Sequence, residues 1–333
     1  MPRRPPPDGQ RLELRIANAC PCNCVFCCEW DNMRQPGPKF MPFANIINIL
    51  YSKRKEGFAH VTFVGGEPTL HPDFEKIVYW TRRMGYVTQL STNGLRFEVA
   101  DYAKHTLPYL DEICISVHGV SPKSVFAATG VSQGHAFLTR ALANIRRYGK
   151  NVYLICNFVV YPGNFDEAYK ILPNILKFAK PDLYMVSNLI PWGRAAKNYS
   201  KLVLSLERMA TLVPLLAEQA RRCGLPVRFF GFPACIMGAH WPLSNDYCWS
   251  PSLLIEKYQT KSGLQQTRVR MTLVPPHRRV KPAKCRICLF NSWCAGVFNK
   301  YLSLFGTREL SAVRHVPPPC DMPARSIIGE SAA

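Results

Sequence analysis

Acidic residues and long apolar runs are what this 333-residue sequence has least of. It carries 22 Asp and Glu against 42 Lys and Arg, a formal net charge of +20. No apolar run approaches the roughly 18 residues a membrane span needs, and the basic, proline-rich N-terminus has no apolar stretch behind it. Neither membrane insertion nor an export signal is therefore expected, and a cytoplasmic location follows. Charged residues are also few, at 19%, while 47% of the chain is hydrophobic, a balance that excludes wholesale disorder. Fourteen cysteines in so large a chain point to metal-binding thiols more than to a disulfide scaffold.

Short apolar runs alternate with helical patterns, the rhythm of repeated βα units around a parallel sheet. Strands are expected at Leu12–Ile16, His60–Val64, Val87–Ser91, Glu112–Val117, Val152–Val159 and Leu183–Ser187. Helices are expected near Pro42–Lys55, Asp73–Met84, Phe97–His105, Gly134–Tyr148, Asn164–Phe178 and Ser205–Cys223, with Pro173 and Pro214 as irregularities. Six units are too few to close a full barrel, so the fold class is α/β: a partial (βα)6 TIM-like barrel with its chemistry at the C-terminal strand ends. Beyond Cys223 the rhythm stops. The expected organisation is a flexible start over 1–11, the barrel over 12–223, and a small cysteine-rich domain over 224–333.

Directly after the first strand stands Cys20-Pro-Cys22-Asn-Cys24-Val-Phe26-Cys27-Cys28. Cys20, Cys24 and Cys27 have C-x3-C-x2-C spacing. Three thiolates on one short loop suit an iron–sulfur cluster with one iron left open; a structural zinc would take a fourth ligand, which Cys22 or Cys28 offers. At the end of the second strand comes Gly65-Gly66-Glu67-Pro68, whose glycines allow close backbone approach and whose carboxylate suits a cationic group. Further strand ends carry Ser91-Thr92-Asn93-Gly94, Ser116-Val117-His118-Gly119 and Asn157. Each is an ordinary turn or polar residue alone.

In this arrangement over 12–223, the chain resembles the radical S-adenosylmethionine (SAM) superfamily. The resemblance implies that Cys20, Cys24 and Cys27 hold a 4Fe-4S cluster whose open iron chelates SAM, with Phe26 beside the adenine. Gly65, Gly66 and Glu67 would receive the methionine part, Glu67 facing its amino group. Ser116 would contact the ribose or carboxylate region and Asn157 the carboxylate. The implied chemistry is reductive cleavage of SAM to a 5′-deoxyadenosyl radical, which takes a hydrogen atom from an unactivated carbon.

The C-terminal cysteines follow a second pattern, Cys285-x2-Cys288-x5-Cys294-x-Gly296, which resembles the auxiliary-cluster domains called SPASM and twitch. The longer SPASM pattern places a cysteine where this chain has Phe298, so one auxiliary 4Fe-4S cluster is expected instead of two. Its ligands would be Cys285, Cys288, Cys294 and one of Cys235, Cys248 or Cys320, with Cys235 placed first. A zinc ribbon is the competing reading of four thiolates.

The positive balance invites nucleic acid, yet most cations are scattered in pairs and no RNA-binding module stands out. The dense stretch His277–Lys284 suits an acidic electron donor such as flavodoxin, or an anionic substrate. The leading expectation is a radical SAM oxidoreductase or isomerase acting on a small sugar-, aminoglycoside- or nucleoside-like intermediate, giving oxidation or epimerisation. Alternatives are a maturase of a ribosomally made peptide, a tRNA-modifying enzyme, and a non-enzymatic iron–sulfur or zinc scaffold on nucleic acid. The early start of the first strand leaves no room ahead of it for a leader-binding domain, which tilts the expectation toward small molecules.

Overall fold

The computed structural model describes residues 10–247, 252–259, 265–272, 279–315 and 318. Its strands are β1 (Gln10–Ala17), β2 (Phe58–Gly65), β3 (Val87–Thr92), β4 (Glu112–Ser116), β5 (Tyr153–Val159), β6 (Leu183–Ser187), β7 (Val227–Phe230), β8 (Ser252–Gln259), β9 (Gln265–Thr272), β10 (Arg279–Val280) and β11 (Val297–Phe298). The first nine form one sheet in the order β7-β6-β5-β4-β3-β2-β1-β8-β9. Strands β1 to β7 pair in parallel with their neighbours, β8 is parallel to β1, and β9 runs antiparallel to β8. The α/β partial-barrel reading therefore stands, and all six expected strands are present.

The sheet is larger than expected. It continues past Cys223 through β7 on one edge, and β8 pairs beside β1 on the other. Apolar patterning did not reveal β8 and β9 because both are isolated from any βα rhythm and rich in polar residues. Pairing against β1 covers an edge that would otherwise present unpaired backbone groups.

Helices lie close to their expected positions, with local differences. A helix over Pro122–Thr129 was not foreseen; Ser121 caps its start and Gly130, with a φ of +71°, ends it. The segment 97–105 divides at Val99 into a 3-10 turn and a helix over Ala100–Thr106. Pro173 and Pro214 lie inside the helices Ala168–Leu176 and Leu206–Arg222. Among the described residues no helix is long and apolar enough to cross a membrane.

Alternation along each strand sends Leu14, Phe63, Leu90, Ile115, Phe158 and Val186 into the main core against the helices. The opposite face carries a polar row in register, Glu13–Thr62–Gln89–Glu112–Tyr153. Thr62 Oγ1 donates to Gln89 Oε1 at 2.7 Å, and Gln89 Nε2 donates to Glu112 Oε2 at 2.7 Å. Burial raises Glu112 to about 7.

The C-terminal segment is tied back to the barrel. Tyr301 and Glu309 cap the start of the helix Leu206–Arg222: the Leu206 N–H donates to Tyr301 Oη at 2.8 Å and to Glu309 Oε2 at 2.6 Å. Arg279, on β10, forms a fully buried ion pair with Asp246 and lies between the rings of Phe230 and Phe298.

Candidate functional site

Cys20, Cys24 and Cys27 sit on the loop that leaves β1, and its backbone is held from three directions. From the end of β2, the Gly66 N–H donates to Ala17 O and the Glu67 N–H to Ala19 O, both at 2.7 Å. From the helix Pro122–Thr129, the Ala128 and Thr129 carbonyls accept from Val25 N–H at 3.0 Å and Asn23 N–H at 2.7 Å. These are last-turn carbonyls that have no partner inside their own helix. From the short helix Gly193–Lys197 after β6, Arg194 N–H donates to Cys27 O at 2.9 Å, while its Nη1 donates to Asn23 O and Asn23 Oδ1, each at 2.7 Å. Gly193 beside it has a φ of +54°, and a Cβ there would come within 2.6 Å of the Cys27 and Cys28 carbonyl oxygens.

Arg194 lies about 170 residues from the loop it grips, and neither composition nor spacing signals it. Both side-chain bonds come from the single Nη1, which the rigid, planar guanidinium holds in place better than a flexible lysine stem would hold its ammonium. Arg194→Ala is expected to release iron to a chelator roughly tenfold faster, in line with loss of a charge-assisted hydrogen bond. Arg194→Lys should fall between the two in a timed iron-release assay.

All five cysteines of the loop, Cys20, Cys22, Cys24, Cys27 and Cys28, line one cavity of about 290 Å³. Gly65 and Gly66 line it from β2, Thr92 and Asn93 from β3, and Ser116 and His118 from β4. Asn93 Nδ2 stands 3.7 Å from Cys20 Sγ. A hydrogen bond from the Cys22 side chain holds the Cys20 thiol below its ordinary range, whereas burial pushes Cys27 up. Thiols that share one cavity in this way make a donor set suited to an iron–sulfur cluster.

Phe26, Glu67 and Asn157 do not line the cavity, and each stands one layer behind it. Phe26 is buried, its ring edge-on to His118 at 4.7 Å and tilted against Tyr161 at 5.3 Å. Glu67 is 1% exposed. Its Oε1 accepts from Thr69 N–H at 3.1 Å and from the Thr69 and Thr92 hydroxyls at 2.7 Å, and its Oε2 accepts from Asn93 N–H at 2.7 Å. Burial raises its carboxyl, and these donors oppose the rise. Asn157 pairs in register with Ser116, and its Oδ1 accepts from Ser187 Oγ at 2.7 Å. All three brace residues that do line the site, a role that motif spacing does not show.

His118 is buried, and its Nδ1 accepts from Val159 N–H at 3.3 Å. Burial lowers it to about 4, below the 6.5 of a free histidine. Between those values the unfolded chain binds the extra proton, so His118 contributes stability above about pH 6.5 that is lost as pH falls toward 4. Melting temperatures measured from pH 7 to pH 4 should fall less steeply in His118→Phe than in the parent chain.

The C-terminal cysteines gather separately. Cys235, Cys285, Cys288 and Cys294 line a second pocket, together with Lys281 and Phe290. Burial, reinforced by the three neighbouring thiols, pushes Cys235 up to about 11. Thus Cys235 is brought to Cys285, Cys288 and Cys294 across some fifty residues of sequence; Cys248 and Cys320 lie outside the described residues. Among the described residues, no three His, Cys, Asp or Glu side chains are close enough to hold a single metal ion; the four thiols stand around a pocket.

Comparison with known proteins agrees with this geometry. Residues 14–172 match the radical SAM superfamily. The chain is 34% identical over 170 residues to a probable GTP 3′,8-cyclase of Saccharolobus solfataricus, covering 48% of this chain and 51% of that protein. It is 26% identical over 197 residues to an S-adenosylmethionine-dependent nucleotide dehydratase of Flammeovirga pacifica, covering 56% of this chain and 65% of the relative. The match thus spans between half and two thirds of these curated relatives. In fold, the chain resembles Streptococcus suis SuiB bound to S-adenosylmethionine, with a TM-score of 0.60 at 17% identity, over 91% of this chain and 76% of SuiB. A cysteine loop after β1, a Gly-Gly-Glu-Pro segment after β2, a shared cavity at the strand ends and the matching sequence lead to one conclusion: residues 14–172 of this chain are a radical SAM domain.

Proposed function

We propose that this radical SAM enzyme removes a hydrogen atom from a small, anionic, nucleoside-like substrate held above the strand ends. The observation that carries this reading is the single cavity into which the cysteine loop and the ends of β2, β3 and β4 converge. Cys20, Cys24 and Cys27 are assigned as cluster ligands, and Gly65, Gly66 and Ser116 as SAM-facing residues. The cluster and SAM, when bound, supply reductive SAM cleavage and the hydrogen-abstracting group. The chain's own residues do the rest. Thr92 and Asn93 are fixed by the Glu67 carboxylate, Phe26 backs His118, and Arg194 keeps the cysteine loop closed.

The nucleoside-like class is supported by the named activities of the two sequence relatives and by the cationic balance, which suits phosphate. A peptide substrate is the second reading. SuiB has been solved with its precursor peptide, and anSMEcpe with a peptide and AdoMet, but at 18 and 19% identity the likeness is one of fold. In the C-terminal pocket, Cys235, Cys285, Cys288 and Cys294 are assigned to one auxiliary cluster. Four thiolates there would leave a cluster no open iron, and the chemistry it would supply is acceptance or relay of one electron, which favours net oxidation over epimerisation.

The test uses chain reconstituted anaerobically in deuterated water, with panels of nucleotides and of peptides. Formation of 5′-deoxyadenosine stimulated by a nucleotide, with a product two mass units lighter, is expected. Stimulation by peptides alone would replace the substrate class, and gain of one deuterium at unchanged composition would replace oxidation with epimerisation.

A further inference from the structure

Among the described residues that line the cavity at the strand ends, one carries a carboxylate, Glu29, and none is a lysine or arginine. His118, lowered to about 4 by burial, is uncharged at neutral pH. This wall is therefore short of positive charge, although the chain as a whole carries +20. Glu29 follows Cys27 by two residues and stands at the start of the short helix Trp30–Met33. Its partner is Arg15, which the alternation of β1 places on the face of the sheet opposite Leu14 and Ile16, level with Val64 of β2. Val64 lines the same cavity.

The Glu29 carboxylate is held on both oxygens. Arg15 Nη1 donates to Oε2 and Arg15 Nη2 to Oε1 at 3.1 Å, while Asn32 Nδ2 donates to Oε2 at 2.9 Å. A forked guanidinium on a carboxylate fixes its plane, so Glu29 meets a ligand without first being ordered. The ion pair is electrically balanced, and what it offers the cavity is acceptor capacity more than net charge. Oε2 accepts two of these bonds and Oε1 only one, where each carboxylate oxygen has two lone-pair sites. The open site on Oε1 suits a hydroxyl or N–H donor. A phosphate or carboxylate suits it poorly: two acceptor-only groups gain no hydrogen bond from each other, and no cation on the described wall offsets their repulsion.

We infer that Glu29, locked by Arg15, is a specificity-determining residue of the cavity: it accepts a hydrogen bond from a hydroxyl or N–H of the substrate and turns the substrate's anionic group away from the loop that follows Cys27. The inference rests on the nucleoside-like reading of the substrate, and adds which kind of group on that molecule faces Glu29.

The probes are ATP, GTP, CTP and UTP and, for whichever binds tightest, analogues in which the 2′-hydroxyl, the 3′-hydroxyl or the base donor is removed or methylated one at a time. Their affinities for the reconstituted, SAM-loaded chain are measured anaerobically by equilibrium dialysis in the parent, Glu29→Gln and Glu29→Asp. In the parent, one analogue is expected to bind about tenfold or more weakly than its complete nucleotide, as loss of a hydrogen bond to a charged acceptor requires. In Glu29→Gln the complete nucleotide should weaken by a similar factor and the gap to that analogue should narrow. Iron content and SAM affinity should match the parent, which would not hold if the ion pair served only to brace the cysteine loop. Glu29→Asp keeps the charge but withdraws it by one methylene; it should narrow the gap too, and carries the test should Glu29→Gln cost iron. A parent-like gap in the variants that keep their iron, or a parent that binds every analogue as tightly as the complete nucleotide, would overturn the assignment. Loss of iron in both variants would make Glu29 a support of the loop and overturn it as well. If the parent bound none of the four nucleotides, the nucleoside-like reading itself would fall, and this inference with it.

Discussion

Replacing Cys20, Cys24 and Cys27 together by alanine is expected to lower the iron of the reconstituted chain from about eight atoms to about four, and to abolish 5′-deoxyadenosine formation. The reason is that two cysteine sets line two different pockets and share no thiol. The remaining Cys22 and Cys28 lie in the same cavity but supply two thiols, too few to retain a cluster. The fold should survive, because the loop is fixed by backbone bonds to Gly66, Glu67, Ala128, Thr129 and Arg194. Iron analysis with circular dichroism measures both. A folded triple variant without iron would mean that Cys285, Cys288 and Cys294 hold no iron–sulfur cluster.

The second large effect is expected at residues that touch no metal. A Cβ at Gly65 would stand 2.1 Å from Ala17 O, and one at Gly66 would stand 2.4 Å from Ala19 O and 3.0 Å from the Met33 sulfur. Neither backbone oxygen can move alone, because each accepts a 2.7 Å hydrogen bond that sets the path into Cys20. Gly66→Val should therefore destabilise the chain by about 1–3 kcal/mol through overpacking. It should also lose most of the iron of the barrel cavity, although all cysteines remain. Gly57→Ala is the control. Its φ is +95°, yet nothing lies within 4 Å of the added Cβ, so it carries backbone strain alone and should keep its iron. Equal iron in Gly66→Val and the parent would show that the loop is set by the cluster and not by β2.

The sequence by itself determined the βα rhythm, the cysteine loop and the glycine pair, because each is a local signal. Strand alternation, a C-x3-C-x2-C spacing and a Gly-Gly turn all act within a few residues of chain. It also determined that Phe298 breaks the second cysteine pattern; the structure buries that residue in β11. Only the tertiary structure decided which distant residues meet. Cys235 reaches Cys285, Cys288 and Cys294 because β7 ends beside the C-terminal segment, and Arg194 reaches Asn23 because the short helix Gly193–Lys197 after β6 lies against the cysteine loop. The same holds for Glu67. Its place in the motif suggests a group facing ligand, but burial without solvent makes a carboxylate gather every nearby donor, and Thr69, Thr92 and Asn93 supply them. Strands β8 and β9 were hidden for a related reason: the pairing of β8 against β1, and of β9 against β8, is decided by an open sheet edge, which no stretch of sequence encodes locally.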